Sequence, residues 1–167
     1  MYDELTEVDI KKMRDEIEYR TKTLRPKLIE DVKTARAFGD LSENFEYKAA
    51  KQEKNRNDSR VRYLERMIST AHVIETKSDS GTAGLFDRIR IYIEEDDEER
   101  DIVLVTTLRQ NALKGLISKE SPVGKAVLGH RVGDRVRVEV SEDYSYYIVI
   151  RSIEKGADDE SLDISRY

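Results

Sequence analysis

The sequence predicts an α+β protein in two parts: an N-terminal antiparallel α-helical coiled-coil hairpin over residues 1–75, then a C-terminal antiparallel β-sheet domain with a short helix over residues 85–155. Three observations carry this. Apolar residues recur at three- and four-residue steps through the first half. They alternate with polar residues in four short runs of the second half. The chain is also very polar, 39% charged against 38% hydrophobic in 167 residues, which suits a slender hairpin beside a small sheet better than one large core.

The first helix is read from residues 6–37, which contain no glycine. Ile10, Met13, Ile17, Leu24, Leu28, Val32 and Ala35 share one face. Thr6 is placed to cap it, with Glu7 and Asp9 in the first turn. Glu7–Lys11, Glu16–Arg20 and Glu18–Lys22 are spaced as stabilising ion pairs. Pro26 conflicts with this pattern and should kink the helix or cost it a hydrogen bond. Gly39 ends the helix, and a short link over 38–42 turns the chain back. Phe45, Ala49, Val61, Leu64, Ile68 and Ala71 then form a second stripe. Helices of about 30 residues would each be roughly 45 Å long.

Residues 76–84 read as a linker. The runs 86–93, 101–107, 134–140 and 144–153 read as strands, rich in β-branched and aromatic residues. Residues 121–129 suggest a short helix with Pro122 in its first turn. The acidic stretch 94–101 lacks the glycine and ligand spacing of a calcium loop and reads as a solvated hairpin turn. Residues 156–167 form a polar tail, expected to be frayed.

Composition excludes several classes of function. There is no cysteine, so disulfide scaffolds, thiolate zinc sites and thiol catalysis are out. His72 and His130 lie far apart and show no partner pattern. No run approaches the ~18 apolar residues of a membrane span. The first residues lack a basic-then-apolar leader, so a cytoplasmic protein is expected. The net charge of −5 is uneven: residues 1–75 are neutral, and the excess acid lies beyond them. Segment 44–66 is locally basic and includes Lys48, Lys51, Lys54 and Arg56.

The turn of the hairpin carries the chemistry. Asp40 and Glu43 stand three apart at a helix start. Two such carboxylates can chelate a hard cation such as Mg²⁺. The same spacing also resembles a capping box, which needs no ligand. Residues alone leave both readings open. Leu41 is unexpected under either, being apolar at an exposed tip.

The run Ala35-Arg36-x-x-Gly39-Asp40-Leu41-Ser42-Glu43-Asn44-x-Glu46-Tyr47-x-Ala49-Ala50-Lys51 resembles the tip of the bacterial Gre-type transcript cleavage factors. Leu5-Thr6, Arg25-Pro26 and Ala71-x-Val73-Ile74 match the same family. So does the series Ile117-Ser118, Ser121-Pro122, Gly124, Ala126, Gly129 and Gly133-Asp134. The resemblance spans nearly the whole chain. It implies an FKBP-like C-terminal domain that docks at the rim of the secondary channel of a bacterial RNA polymerase, with Ser121 and Pro122 at the docking surface. It implies a coiled coil that enters the channel as a monomer. Asp40 and Glu43 would then share a Mg²⁺ with the polymerase and serve cleavage of backtracked RNA, with no nuclease activity in the factor itself.

By position, Leu41 is expected near the polymerase active-site elements and Ser42 near the metal's water shell. Asn44 is expected to cap the second helix. Tyr47 is expected to contact polymerase or RNA, or else to pack on the first helix. Lys48, Lys51, Lys54 and Arg56 would guide the nascent RNA 3′ end, Lys51 foremost. Two stretches depart from the family pattern: residues 106–115 lack an acidic segment, and the last hairpin lacks a glycine-rich turn. Two other readings stay open, a channel-binding regulator that inhibits without cleavage and a plain coiled-coil adaptor.

Overall fold

The computed structural model describes residues 4–39, 44–77, 79–158 and 160–165, and they divide into two compact units. One unit comprises Ile10–Ala71, and the other joins Glu4–Asp9 to the chain from His72 onward.

The first unit is helical. The first arm runs through α1 (Glu7–Tyr19), a π-helical turn (Arg20–Leu24) and α2 (Arg25–Arg36). The return arm is α3 (Phe45–Thr70). Pro26 is why the first arm is interrupted. It lacks an N–H and crowds the carbonyl one turn back. The wider turn just before it removes that conflict, and the Arg25 N–H bonds to the Arg20 carbonyl five residues earlier. The seam residues of this arm step by three, four, three and four through Ile10, Met13, Ile17, Arg20 and Leu24, then by four again to Leu28. The π turn absorbs that extra residue. Met13 and Ala35 are buried, and the other apolar members of the expected stripe are half-buried.

On α3 the seam differs from the expected stripe. Phe45 and Ala49 are exposed. The line that faces inward is Ala50, Lys54, Asn57, Val61, Leu64 and Ile68, in alternating four- and three-residue steps. Two of its positions are polar, which hid the heptad. Asn57 finds its partners on the first arm, whereas Lys54 bonds Asp58 on α3 itself. Asn57 accepts from Arg20 at 3.0 Å and donates to the Arg20 carbonyl, in the π turn, at 3.1 Å. Arg60, 5% exposed, donates to both carboxylate oxygens of Glu16 at 2.9 and 3.2 Å. Glu16 also accepts from Arg20 at 2.7 Å, and Asp58 from Arg25 at 3.0 Å and Lys54 at 3.1 Å.

The second unit is a five-stranded sheet ordered β5–β4–β3–β7–β6. Its strands are β3 (Arg88–Ile93), β4 (Glu98–Val105), β5 (Leu116–Ser118), β6 (Arg135–Glu139) and β7 (Ser145–Glu154). Neighbours are antiparallel except β4 and β5, which run parallel. The short β5 adds a parallel edge to the four strands read from the sequence. Only residues 94–97 of the acidic stretch form the turn between β3 and β4, with Tyr92 donating to Asp97 at 2.6 Å, and residues 98–101 belong to β4 itself, paired with β3. Ile89, Ile91, Ile102, Leu104, Val136, Val138, Ile148 and Ile150 form the core, and α4 (Pro122–Val127) adds Val127 to it. In β7 the alternation breaks after Ile150. Arg90 pairs with Ser152 and Ile91 with Ile150, so Arg151 is bulged and the next core-facing residue is Ile153. Gly124 is required where α4 begins, because a Cβ there would lie 2.1 Å from the Ser118 carbonyl oxygen.

The same unit contains a parallel pair of short strands, β1 (Glu4–Leu5) and β2 (His72–Val73). Thr6 and Asp9 cap the start of α1 reciprocally, at 3.1 and 3.0 Å. Asp9 is fully buried and also accepts from Arg109 Nε at 2.6 Å and Thr106 at 2.8 Å. Arg109, 1% exposed, grips Asp158 with its other two nitrogens. The polar tail is therefore tied down rather than frayed over this stretch: Asp158 is held by Arg109 and Thr6, and Leu162 packs with Leu85, Phe86, Val105 and Leu116. Among the described residues no helix is long and apolar enough to cross a membrane.

Two expectations follow. Arg109→Met should leave Asp9 buried without its cation and cost about 3–5 kcal/mol in denaturant unfolding of the second unit. A loss below about 1 kcal/mol would show that the pair contributes little. Burial alone would raise the Glu16 carboxyl, but Arg60 and Arg20 outweigh it and hold it below the ordinary value. A carboxyl depressed in the folded state stabilises above its unfolded pKa, about 4.3 for glutamate, and that contribution is lost as pH falls through the folded value. Glu16→Gln should therefore flatten the acid arm of the hairpin's thermal midpoint against pH. An acid arm identical to wild type would contradict this.

Candidate functional site

The end of the hairpin is organised by one side chain. Asn44, extended at φ −82° and ψ 94°, precedes α3, and its Oδ1 accepts from the Tyr47 amide at 2.9 Å. That is a standard N-cap. Its Nδ2 donates to the Ala35 carbonyl in the last turn of α2 at 2.7 Å. A single amide thus ends one helix and ties it to the other. Gly39, at φ +129°, turns the chain out of the first arm in a conformation that disfavours any side chain. Asp40, Leu41, Ser42 and Glu43 fall outside the described residues, between these two fixed points.

Tyr47 is half-buried, with Arg36 of α2 at 5.9 Å and Lys51 at 6.0 Å from its ring centre. Lys48 stands 5.7 Å from the ring centre of Phe45. The four basic residues singled out from the sequence do not form one stripe. Lys48 and Lys51 lie in the first turns of α3 against aromatic rings. Lys54 faces the seam and bonds Asp58. Burial alone would raise the Asp58 carboxyl, but Lys54 and Arg25 outweigh it and lower it. Arg56 is rotated about 160° from Lys54 around the helix, and there it pairs with Glu53 at 2.9 Å in solvent.

Ser121 and Pro122 start α4. The Ser121 hydroxyl accepts from the Gly124 amide at 3.0 Å and donates to the Ser118 carbonyl at 2.6 Å. His130, given no role from sequence, lies 3.2 Å from the Asp134 carboxylate. Among the described residues no group of three or more histidine, aspartate or glutamate side chains is gathered to hold a metal. Sequence reasoning did not find the Arg60–Glu16 and Asn57–Arg20 links. The available signal was a heptad that continued through polar positions.

Comparison with known proteins gives two family matches. Residues 4–73 match the N-terminal domain of transcription elongation factors, and residues 78–155 match the C-terminal domain of GreA/GreB transcription elongation factors. The chain is 41% identical over 139 residues to the transcription elongation factor GreA of Thermoanaerobacter pseudethanolicus, an alignment covering 81% of this chain and 87% of the relative. It is 35% identical over 146 residues to GreA of Mesoplasma florum, covering 86% and 94%. Among solved structures, the GreA factor homolog 1 of Thermus thermophilus aligns over 93% of this chain and 100% of its own, at 25% identity and a TM-score of 0.42.

Asn44→Ala should cost about 1 kcal/mol of helix stability as a lost cap, and more if the tie to Ala35 contributes. Hydrogen exchange at the Tyr47 amide should accelerate. Unchanged protection there would mean that α3 begins without this cap.

Proposed function

The chain belongs to the GreA/GreB family of transcription elongation factors, and from that premise we propose how it acts. The hairpin enters the secondary channel of a bacterial RNA polymerase that has backtracked, and its end stimulates cleavage of the extruded RNA by the polymerase's own active site. The reading is carried by one observation: Asn44 joins the end of α2 to the start of α3, so the helix ends that flank Asp40 and Glu43 in the sequence are tied to each other.

Asp40 and Glu43 supply hard oxygen donors, the kind Mg²⁺ prefers, and would hold one ion jointly with the polymerase. An ion so held stabilises charge on the phosphate under attack. The chain's own residues position and attract. A narrow hairpin whose seam is closed in part by polar links can reach into a channel. Lys48 and Lys51 lie just beyond the tip and draw RNA phosphates by long-range attraction, which salt screens. Lys54 and Arg56 are already paired with Asp58 and Glu53, which concentrates the RNA-guiding role on the first two. Leu41 and Ser42 belong to the same tip, and Tyr47 braces it through Arg36. The surface around Ser121 and Pro122 docks the second unit on the polymerase. The protein acts as a monomer and cleaves no RNA alone.

The test is transcript cleavage in stalled, backtracked complexes of purified bacterial polymerase. Asp40→Ala and Glu43→Ala should each lower stimulated cleavage by about 100-fold or more, with polymerase binding nearly unchanged. Wild-type cleavage by either variant would end the metal role. Joint loss of binding and helicity would instead assign the two acids a structural role.

A further inference from the structure

Phe38 and Phe45 are 73% and 80% exposed, the two most exposed large apolar side chains among the described residues of the helical unit. They flank Asp40–Glu43 in the sequence, and both occupy positions that the tip motif leaves open. The Asn44–Ala35 bond places them at the same end of the hairpin: Phe45 follows Asn44 directly, and Phe38 lies three residues past Ala35. Among the described residues nothing in the fold calls for either ring. Phe45 is the first residue of α3, where a smaller residue would serve the helix as well, and among the described residues it stays exposed rather than packed into the seam.

Phe45 is not simply bare. The Lys48 ammonium stands 5.7 Å from its ring centre, and Lys51 and Arg36 gather at the neighbouring Tyr47. An open aromatic ring beside a cation suits a single-stranded nucleotide. The ring stacks on the base, whatever its identity, and the cation meets the phosphate. We propose that Phe45, with Lys48, holds an unpaired base of the backtracked RNA 3′ segment, with Phe38 flanking it, and so presents the phosphodiester to the tip acids. This rests on the cleavage reading above and adds a positioning contact to it. The cations favour RNA over an apolar groove of the polymerase, where Lys48 would have to be desolvated for no partner.

The experiment uses the full chain with backtracked complexes carrying a 4-thiouridine at the RNA 3′ end. Two readouts are taken: photo-crosslinking of the RNA to the factor, and maximal cleavage rate at saturating factor. Binding to polymerase core without RNA is measured in parallel. Phe45→Trp should match wild type in both readouts. Phe45→Leu and Phe45→Ala should each lower both by about 5-fold or more, the lower end of a lost base–aromatic stack, with core binding unchanged. Lys48→Ala should lower both at low salt and less at high salt, whereas the Phe45 effect should persist. Full activity and crosslinking in Phe45→Leu would overturn the proposal, since an apolar contact without stacking would suffice. Loss of core affinity in Phe45→Leu or Phe45→Ala would overturn it in favour of a polymerase contact. If wild type stimulates no cleavage yet crosslinks in a Phe45-dependent way, the stack stands and the cleavage reading fails. If cleavage is stimulated regardless of the ring at position 45, the reverse holds.

Discussion

A two-helix hairpin has one seam and no interior, and this one closes its seam with charge and amide groups as much as with hydrocarbon. The bidentate contact of Arg60 with Glu16 is its centre. Arg20 shares the same carboxylate and reaches on to Asn57, whose amide in turn takes up the Arg20 carbonyl. Such links are directional. They fix the register of one arm against the other, where apolar contacts would tolerate sliding. The π turn belongs to this arrangement, because Pro26 forces the first arm to widen and the widened turn offers its carbonyl to Asn57. Whatever the tip does depends on this register, since the Asn44 bond to Ala35 forms only when residues nine apart in sequence meet across the hairpin.

The second unit solves a comparable problem with a single buried cation. Arg109 gathers Asp9 at the start of the first helix and Asp158 beyond the last strand, and Thr6 and Thr106 complete the set. Buried charges are costly unless every partner is present. The arrangement therefore joins three remote stretches of chain in an all-or-none way. Asp87 does the same on a smaller scale, accepting from the Gly84 and Gly156 amides and from Lys155.

Most of the architecture was legible because its periods are simple. The first-arm stripe, the Thr6 cap, the alternating strands and the Pro122 helix start all follow from local pattern. Three features escaped for identifiable reasons. The α3 seam passes through Lys54 and Asn57, so an apolar search slid to Phe45 and Ala49, which are exposed. The strand β5 is three residues long and pairs in parallel, leaving no alternation to read. The tail is polar, but its Asp158 serves a buried arginine nearly fifty residues away, a relation that no local window contains. At the candidate site, Asp40 and Glu43 were singled out by motif. Their spacing alone also fits a capping box, but the residue that caps α3 is Asn44. The open rings of Phe38 and Phe45 became visible only with exposure in hand, because sequence cannot separate a core phenylalanine from a bare one.

The central claim is that the tip acids and the polymerase hold one Mg²⁺ between them. The direct measurement is the Mg²⁺ dependence of RNA cleavage in backtracked complexes, with and without saturating factor. If the ion is shared, the factor adds ligands to a weakly held metal, and the Mg²⁺ concentration for half-maximal cleavage should fall by about 10-fold or more, equivalent to ~1.4 kcal/mol of added binding. A faster reaction with an unchanged Mg²⁺ requirement would contradict metal sharing.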